Sequence, residues 1–545
     1  MTRTCLVASL LIVAASAFGQ PIYHSTPDWV SADTQRGTGA ALVDLDRDGW
    51  LDFVVANGND MNQQRLAVYY NQGDGTFPAT PDWQSSDYAY NGHLDVADVN
   101  GDGWMDVAVA HLGTGGTLAP IAKLYLNNSG TLSLLPDWEA NIIGNAFGVA
   151  FGDMNNDGRP DLAVATGWSY DHYYYNDYVY VNVNGSLEAT ASWVSDDTSI
   201  CQGALWVDGD DDGWLDLVVV AYDDYSRIYR NLGGTLETTA SWQTADNPHQ
   251  DAIMAATGDV TGDGIVDLFL TDNTQLGGSG RFRQYTGLAD DLFENDYSWS
   301  YYEGYGSAVA VADIDNDGLL DLATGGWWEP ARLFLNDGTG LPASPSWSSS
   351  TGSVIEKIVF GDVDPACGIE LVSVETFPPD GSRTLFHLPV QPIQGLVSVV
   401  RDGIELDPDE YTWSREYGWI SLNAAPVVDL IVTYRHSHSL DMAISNWDPN
   451  VGNYLFYSQL FDDCNENGVP DGCDIYNGTS QDANGNGIPD ECECPADFDG
   501  DGDVDTADLL FLLGAWGTPD GDVDGDGDTD TSDLLALLAA WGDCP

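Results

Sequence analysis

The sequence predicts an all-β fold, namely a seven-bladed β-propeller or, as the alternative, an eight-bladed one, followed by a small α-helical module at the C-terminus. Three observations support this prediction. An acidic nine-residue segment recurs along the chain with a period of about 50 residues, which is typical of propeller blades and solenoids. Short apolar runs of strand length follow the copies. Close to the C-terminus, two leucine-rich runs have helical spacing instead.

The N-terminus has the pattern of a secretory signal peptide over residues 1–19. Arg3 precedes a short apolar run from Cys5 to Ala17, and Ala15-Ser16-Ala17 has the form of a cleavage site. The run is too short to span a bilayer, and no later stretch reaches about 20 apolar residues. We therefore expect a secreted protein, extracellular or associated with the cell surface, without a membrane span.

The composition supports a large core and excludes some partners. Hydrophobic residues make up 43% of the 545 residues, although the net charge is −71. A chain of this length requires several domains or a repeat architecture. Its acidic surface repels nucleic acids and anionic membranes, because both are bound through basic patches.

The recurring acidic segment has the spacing of a calcium loop. Acidic or amide side chains occupy positions 1, 3 and 5, glycine occupies position 6, and aspartate occupies position 9. Ca²⁺ takes six to eight oxygen ligands, and alternate side chains on a tight turn supply them. Six copies in one period favour metal loops over solvated acidic turns. The predicted ligands of loops 1–6 are Asp44, Asp46, Asp48 and Asp52; Asp98, Asn100, Asp102 and Asp106; Asp153, Asn155, Asp157 and Asp161; Asp208, Asp210, Asp212 and Asp216; Asp259, Asp263 and Asp267; and Asp313, Asp315, Asp317 and Asp321.

A seventh copy runs from Asp362 to Glu370 and is degenerate. Ala366 and Cys367 replace the acid at position 5 and the glycine at position 6. We therefore expect this loop to be empty of metal.

Each repeat reads as four strands without a helix. Two strands follow each loop, a tryptophan-bearing segment comes next, and a Gly/Ala/Val run leads into the following loop. One further tryptophan segment, Pro27-Asp28-Trp29, stands before loop 1. We expect it to pair with the seventh blade, because joining the chain ends removes exposed sheet edges.

Phe-Gly pairs precede two of the loops, at Phe151-Gly152 and Phe360-Gly361. With them, residues 20–390 resemble the FG-GAP/VCBS repeat family, best known from integrin α-subunit propellers. The resemblance implies a propeller fold and bound calcium. It does not select one function, because the family includes adhesins, lectin-like proteins and some polysaccharide lyases.

Residues 391–460 break the period. Strand-like segments between residues 396 and 434 indicate a small β insert. Residues 441–446 and 453–457 then resemble the strands that follow a loop, but without the loop itself. They either complete the seventh blade or form an eighth, and we favour seven.

The tail carries two further types of loop. Residues 461–493 resemble thrombospondin type-3 calcium repeats, with predicted ligands Asp463, Asn465, Asn467, Asp471, Asp482, Asn484, Asn486 and Asp490. Residues 494–545 contain twin EF-hand-type loops, each leading into one helix, and resemble a dockerin, the module that binds cohesin domains. The predicted ligands there are Asp497, Asp499, Asp501, Asp505, Asp508, Asp522, Asp524, Asp526, Asp530 and Asp533. A calcium-folded cap that only adds stability is the alternative interpretation of this module.

Together these loops predict about eight to ten Ca²⁺ ions. The sequence has no zinc-binding His motif, nucleophile elbow or phosphate loop. Two functions remain. The chain is a recognition or adhesion protein that binds a glycan or protein through its propeller and a cohesin-like partner through residues 494–545. Alternatively, it is a polysaccharide lyase or hydrolase that its dockerin delivers to a degradative assembly.

Overall fold

The computed structural model describes residues 22–460, apart from 114–118, 168–173, 223, 246–250, 290, 366–370 and 380. In the tail it describes residues 479–480, 496, 498, 503–504, 506–518, 523, 529–539 and 541–543. The described part of the body is all-β, as predicted, and includes a 3₁₀ turn at Pro408–Glu410. Among the described residues, no helix has the length and hydropathy needed to cross a membrane.

Seven four-stranded antiparallel units, here called sheets 1–7, form from the strand-length apolar runs of the repeats. Sheets 6 and 7 are joined by the pairing of Trp327 with Val354, so that they make one eight-stranded sheet. In order, the strands are Gly37–Val43, Asp52–Asn57, Leu66–Tyr69 and Trp83–Gln84 (sheet 1); Asn91–Ala97, Asp106–His111, Ala122–Tyr125 and Trp138–Glu139 (sheet 2); Ala146–Gly152, Asp161–Thr166, Tyr178–Tyr180 and Trp193–Val194 (sheet 3); Ile200–Val207, Asp216–Tyr222, Arg227–Tyr229 and Trp242–Gln243 (sheet 4); Ala255–Gly258, Asp267–Leu270, Arg281–Tyr285 and Trp299–Tyr302 (sheet 5); Gly306–Ala312, Asp321–Glu329, Arg332–Phe334 and Trp347–Ser348 (sheet 6); and Ser353–Gly361, Asp441–Asn446, Tyr454–Phe456 and Trp29–Val30 (sheet 7). Two short ladders flank them, Ala119–Pro120 with Ile143–Gly144 and Gly287–Leu288 with Asp291–Phe293.

The first strands of the seven sheets lie side by side in a closed cycle. Each contacts the first strands of its two neighbours, and that of sheet 7 contacts that of sheet 1. Glycines permit this close approach: a Cβ on Gly39 would lie 2.7 Å from the Leu94 nitrogen, and one on Gly148 would lie 2.7 Å from the Gly203 Cα. The arrangement is β-propeller-like.

The N-terminal strand closes sheet 7, as the sequence predicted. Trp29 pairs with Leu455, and Val30 pairs with Tyr454. Tyr23 is fully buried in the core that sheets 6 and 7 share. The two ends of the body therefore meet in one sheet, which removes a free edge.

The recurring tryptophans join neighbouring sheets. The indole N–H of Trp193, in the last strand of sheet 3, donates to the Glu237 carbonyl oxygen at 3.1 Å, in the hairpin of sheet 4. Five others make the equivalent bond: Trp29 to Phe77, Trp138 to Glu188, Trp242 to Phe293, Trp299 to Pro342 and Trp347 to Tyr23. Each is a large apolar side chain with one satisfied polar atom, which suits an interface between sheets.

Residues 362–440, here called the insert, lie between the first and second strands of sheet 7. One sheet contains Leu371–Phe377, Leu430–His436, Gly395–Arg401 and Ile404–Glu405, and the other contains Leu385–His387, Trp419–Leu422 and Tyr411–Trp413. The boundary expected at residue 390 falls inside this insert, because strand pairing joins segments on both sides of it. The strands at 441–446 and 454–456 complete sheet 7.

The described part of the tail contains helix α1 (Thr506–Gly514) and helix α2 (Thr531–Ala539). A two-residue ladder pairs Asp503–Val504 with Gly542–Asp543. Val504, Leu512 and Leu537 are buried in a small common core.

Candidate metal centres

Loops 1–6 each connect the first and second strands of one sheet, and the position-9 aspartate opens the second strand. In loop 1, the buried Asp52 carboxylate accepts backbone N–H bonds from Leu45 and from Asn71, both at 3.0 Å. The aspartates at position 9 of the other five loops accept the same two bonds. One end of each loop is therefore held by the β-sheet.

The aspartate at position 1 folds the turn. Asp44 Oδ1 accepts the Asp48 N–H, and its Oδ2 accepts the Gly49 N–H, both at 3.1 Å. The turn needs a left-handed backbone at position 6, where Gly49 has φ 95°. Only glycine adopts that conformation at little cost. The same two bonds recur in loops 2–6.

In three of the six loops, three of the four predicted ligands converge. Carboxylate oxygens lie within 4.8 Å of one another in loop 1 (Asp44, Asp46, Asp48), loop 4 (Asp208, Asp210, Asp212) and loop 6 (Asp313, Asp315, Asp321). Loops 2, 3 and 5 keep the same backbone bonds but have Asn100, Asn155 and Thr261 at position 3.

The burial of these carboxylates is unfavourable unless a cation or a proton neutralises their charge. Removal from water raises the pKa of Asp52, Asp106 and Asp321 to about 8. Asp210 Oδ1 and Asp315 Oδ1, both at position 3, are buried without a hydrogen-bond partner in the described part of the chain. A buried oxygen without a donor is unfavourable unless a cation or proton neutralises it. The all-oxygen donor set fits a hard divalent cation such as Ca²⁺.

Neighbouring loops are also linked through a recurring asparagine that the sequence analysis did not identify. Asn127 Nδ2, just after the third strand of sheet 2, donates to the Leu45 carbonyl of loop 1 at 2.8 Å and to the Met105 carbonyl of loop 2 at 3.1 Å. Asn71, Asn182, Asn231 and Asn336 bridge their own neighbours in the same way. Their recurrence in the repeat was the signal that could have identified them.

In the seventh loop, Asp441 occupies position 9, which the sequence assigned to Glu370. Glu370 lies outside the described residues. Asp441 opens the second strand of sheet 7, and its carboxylate accepts the Val363 N–H at 2.7 Å and the Ser458 N–H at 2.8 Å. These are the two bonds of position 9 in the other loops. Carboxylate oxygens of Asp362, Asp364 and Asp441 lie within 4.8 Å of one another.

Most predicted tail ligands lie outside the described residues. These are Asp463, Asn465, Asn467, Asp471, Asp482, Asn484, Asn486, Asp490, Asp497, Asp499, Asp501, Asp505, Asp522, Asp524 and Asp526. The two aspartates at position 12 of the EF-hand-type loops are described and equivalent. Asp508 accepts the Phe498 N–H at 2.7 Å, and Asp533 accepts the Val523 N–H at 2.8 Å. Asp530, at position 9, donates its N–H to Asp533.

A family model described as an FG-GAP-like repeat matches residues 25–109, 113–164, 208–270 and 259–324. The chain contains FG-GAP-like repeats. The matched segments include all six loops, leave residues 165–207 unmatched, and end before the insert and the tail.

Among solved structures, BBS1N in complex with ARL6DN is similar, with 12% identity and a TM-score of 0.39, over 63% of this chain and 90% of that one. Sqt1 of Saccharomyces cerevisiae has 10% identity and a TM-score of 0.41, over 80% of this chain and 99% of its own. These similarities are too low to carry an argument about function. No curated protein matches the sequence.

Proposed function

We propose that this chain is a secreted, calcium-binding recognition protein, whose seven sheets are the blades of a propeller that binds a glycan or an extracellular protein. One observation carries the proposal: the metal-loop aspartates at positions 1 and 9 are tied by backbone hydrogen bonds to their own turn and strand in all six loops. Metal held this way rigidifies the ring and leaves the surfaces around it for recognition.

Calcium content tests the first half of the proposal. We expect metal analysis of the dialysed full chain to find about eight to ten Ca²⁺ per chain, because Ca²⁺ favours such oxygen-rich loops. Two ions or fewer would contradict the repeat assignment.

The tail is proposed to attach the propeller to a cohesin-like domain through residues 494–545. The two helices expose matching apolar side chains: Leu510, Leu513 and Trp516 beside α1 and Leu535, Leu538 and Trp541 beside α2. Exposed apolar patches of this kind mark interaction sites. Because both halves present the same set, the module offers either helix to a partner.

Arginine substitutions test this docking. Thr506 and Thr531 are exposed and begin the two helices. We expect Thr506→Arg alone to be tolerated, because the second helix stays available, and Thr506→Arg with Thr531→Arg to abolish calcium-dependent pull-down of a cohesin-like domain. If the double variant binds as wild type does, the module is better explained as a calcium-folded cap.

A second candidate, an extracellular polysaccharide lyase or hydrolase, is favoured by one observation. His387, His436 and His438 line a single cavity between the insert and the ring, and imidazole is the commonest general acid or base. Incubation with a polysaccharide panel distinguishes the two candidates. Release of unsaturated uronides or reducing ends would support the enzyme, and binding without release would support the recognition protein.

A further inference from the structure

The insert lies on the face of the ring that carries the metal loops. Arg383 Nη2 contacts Asp208 of loop 4 at 3.2 Å and Asp211 at 2.6 Å. Ser421 Oγ donates to Asp153 of loop 3 at 2.8 Å. The insert therefore touches acidic residues of two neighbouring loops.

A turn of the insert also enters the space at the ring axis. Glu416 pairs with Lys357, on the first strand of sheet 7, at 2.7 Å. Tyr417 and Trp419 border the same space of about 100 Å³ as first-strand residues of several sheets, among them Ala255 and Val311. The axis is thus occupied from the metal-loop side.

Coverage of the loops is uneven. A Cβ on Gly101 of loop 2 would lie 2.5 Å from the Asp409 side chain, and one on Gly158 of loop 3 would lie 2.5 Å from the Glu410 carbonyl oxygen. The position-6 glycines of loops 1, 5 and 6, Gly49, Gly264 and Gly318, have no atom of a non-adjacent described residue within 4 Å of that position. The insert therefore presses on loops 2 and 3 and leaves loops 1, 5 and 6 open there.

The uncovered side is a cavity of about 940 Å³ between the insert and the loops of sheets 4–6. Asp208, Asp259 and Asp313, the first residues of loops 4, 5 and 6, lie on the ring side. His387, His436 and His438 lie on the insert side. A cavity of this size is within the range of ligand sites, at roughly 300–1,000 Å³.

The walls combine aromatic rings with polar groups. Phe377 and Tyr417 are half-buried and line the cavity, and Phe377 packs on Phe386 with ring centroids 5.1 Å apart. The indole nitrogen of Trp419, a residue only 3% exposed, is buried at the wall with no hydrogen-bond partner among the described residues. His436 is held by Ser373 at 2.8 Å.

This combination suits a saccharide. Aromatic rings pack on the apolar faces of sugar rings, while imidazole, guanidinium and indole N–H groups bond hydroxyl oxygens. An extended peptide would instead pair with an open strand edge, whereas the ring side of this cavity consists of loops and the ends of paired first strands such as Trp206–Val207. We propose that the cavity between the insert and loops 4–6 binds a short segment of a polysaccharide; this rests on the glycan-binding form of the function proposed above.

The test compares variants on the two faces of the ring. Calcium-loaded full chain is titrated calorimetrically with two probes, cellotetraose and a galacturonic acid tetrasaccharide, which separate neutral from acidic sugars. The cavity variants are His436→Ala with His438→Ala, and Phe377→Ala. Trp328→Ala is the matched control, because Trp328 is 55% exposed and lies near the end of the second strand of sheet 6. The metal loop precedes the other end of that strand.

We expect the wild type to bind at least one probe and each cavity variant to weaken binding by about tenfold or more, with Trp328→Ala unchanged. Two cavity variants are used so that misfolding of one, detected by its melting temperature, leaves the other. Equal affinity in a folded cavity variant and wild type, or loss in Trp328→Ala alone, would place the saccharide elsewhere and overturn the inference while the recognition function stands. Failure of the wild type to bind either probe also overturns it, and the recognition function is then judged by calcium content and protein binding.

Discussion

Six candidate metal loops are continuous in sequence, whereas the seventh is divided by residues 365–440. In loop 6, Asp313 and Asp321 are positions 1 and 9 of one uninterrupted segment. Asp321 accepts N–H bonds from Ile314 and Asn336. In sheet 7, Asp441 arrives from beyond the insert and accepts the corresponding bonds from Val363 and Ser458. Strand pairing, rather than chain continuity, therefore positions the last carboxylate.

The two kinds of loop differ in what lies between their ends. Loop 6 has Asp317 and Gly318 at positions 5 and 6, so its turn closes over the ligands. In the divided loop, the Ser437 hydroxyl of the insert donates to Asp362 at 2.6 Å. A hydroxyl donor can satisfy a carboxylate without metal, but Ser421 donates to Asp153 of loop 3 in the same way, so the empty seventh loop stays a prediction.

Removal of calcium should produce the largest effect. Without cations, the clustered carboxylates repel one another, and ligands that bind only the folded state stabilise it by mass action. We expect EDTA to lower the melting temperature in differential scanning calorimetry by roughly 10 °C or more, with the tail unfolding first. Excess Ca²⁺ should restore it, and an unchanged trace would mean that the loops contribute no stability.

Opening the ring should produce the second largest effect. Deletion of residues 22–31 removes the strand at Trp29 and the buried Tyr23, and it exposes the edge of sheet 7, which promotes association between chains. We expect aggregates in size-exclusion chromatography, with a chain that begins at residue 22 as the monomeric control. A monomeric, equally stable deletion variant would show that the N-terminal strand does not close the ring.

A matched pair of substitutions sharpens the comparison of loops 6 and 7. Asp321→Asn should remove one bound ion and lower the melting temperature by several degrees, or about 1–3 kcal/mol in unfolding free energy. Asp441→Asn should leave the ion count unchanged and destabilise less. Loss of one ion in Asp441→Asn would show instead that the divided loop is occupied.

A smaller effect is expected from pH in metal-free protein. Burial raises the pKa of Asp52, Asp106 and Asp321 to about 8, so the folded state retains protons that the unfolded chain releases near pH 4. Their stabilising contribution is complete below pH 4 and is lost as pH rises to about 8. Melting temperatures in EDTA should fall over this range, whereas calcium stabilisation should grow, because metal displaces the protons. A rise in EDTA would contradict these shifts.

The repeated units were predictable from the sequence. Strand-length runs such as residues 52–57 form as expected, and the alternating carboxylates of loop 1 lie close together, because both depend on residues within a few positions of one another. The pairing of Trp29 with sheet 7 was also predictable, since a lone fourth strand needs a sheet. The boundary at residue 390 was misplaced, because apolar runs in the insert have the same local pattern as the strands of the ring.

The sequence by itself determined the sheets and the turns of loops 1–6, since spacing within nine residues is enough to fold the turn. Their metal ligands stay a prediction. Tertiary structure decided three further features. It brought Asp441 to Asp362, linked neighbouring loops through Asn127, and placed the insert so that a cavity remains over loops 5 and 6. Each of these depends on contacts between segments far apart in the chain, which form only when the sheets close into a ring.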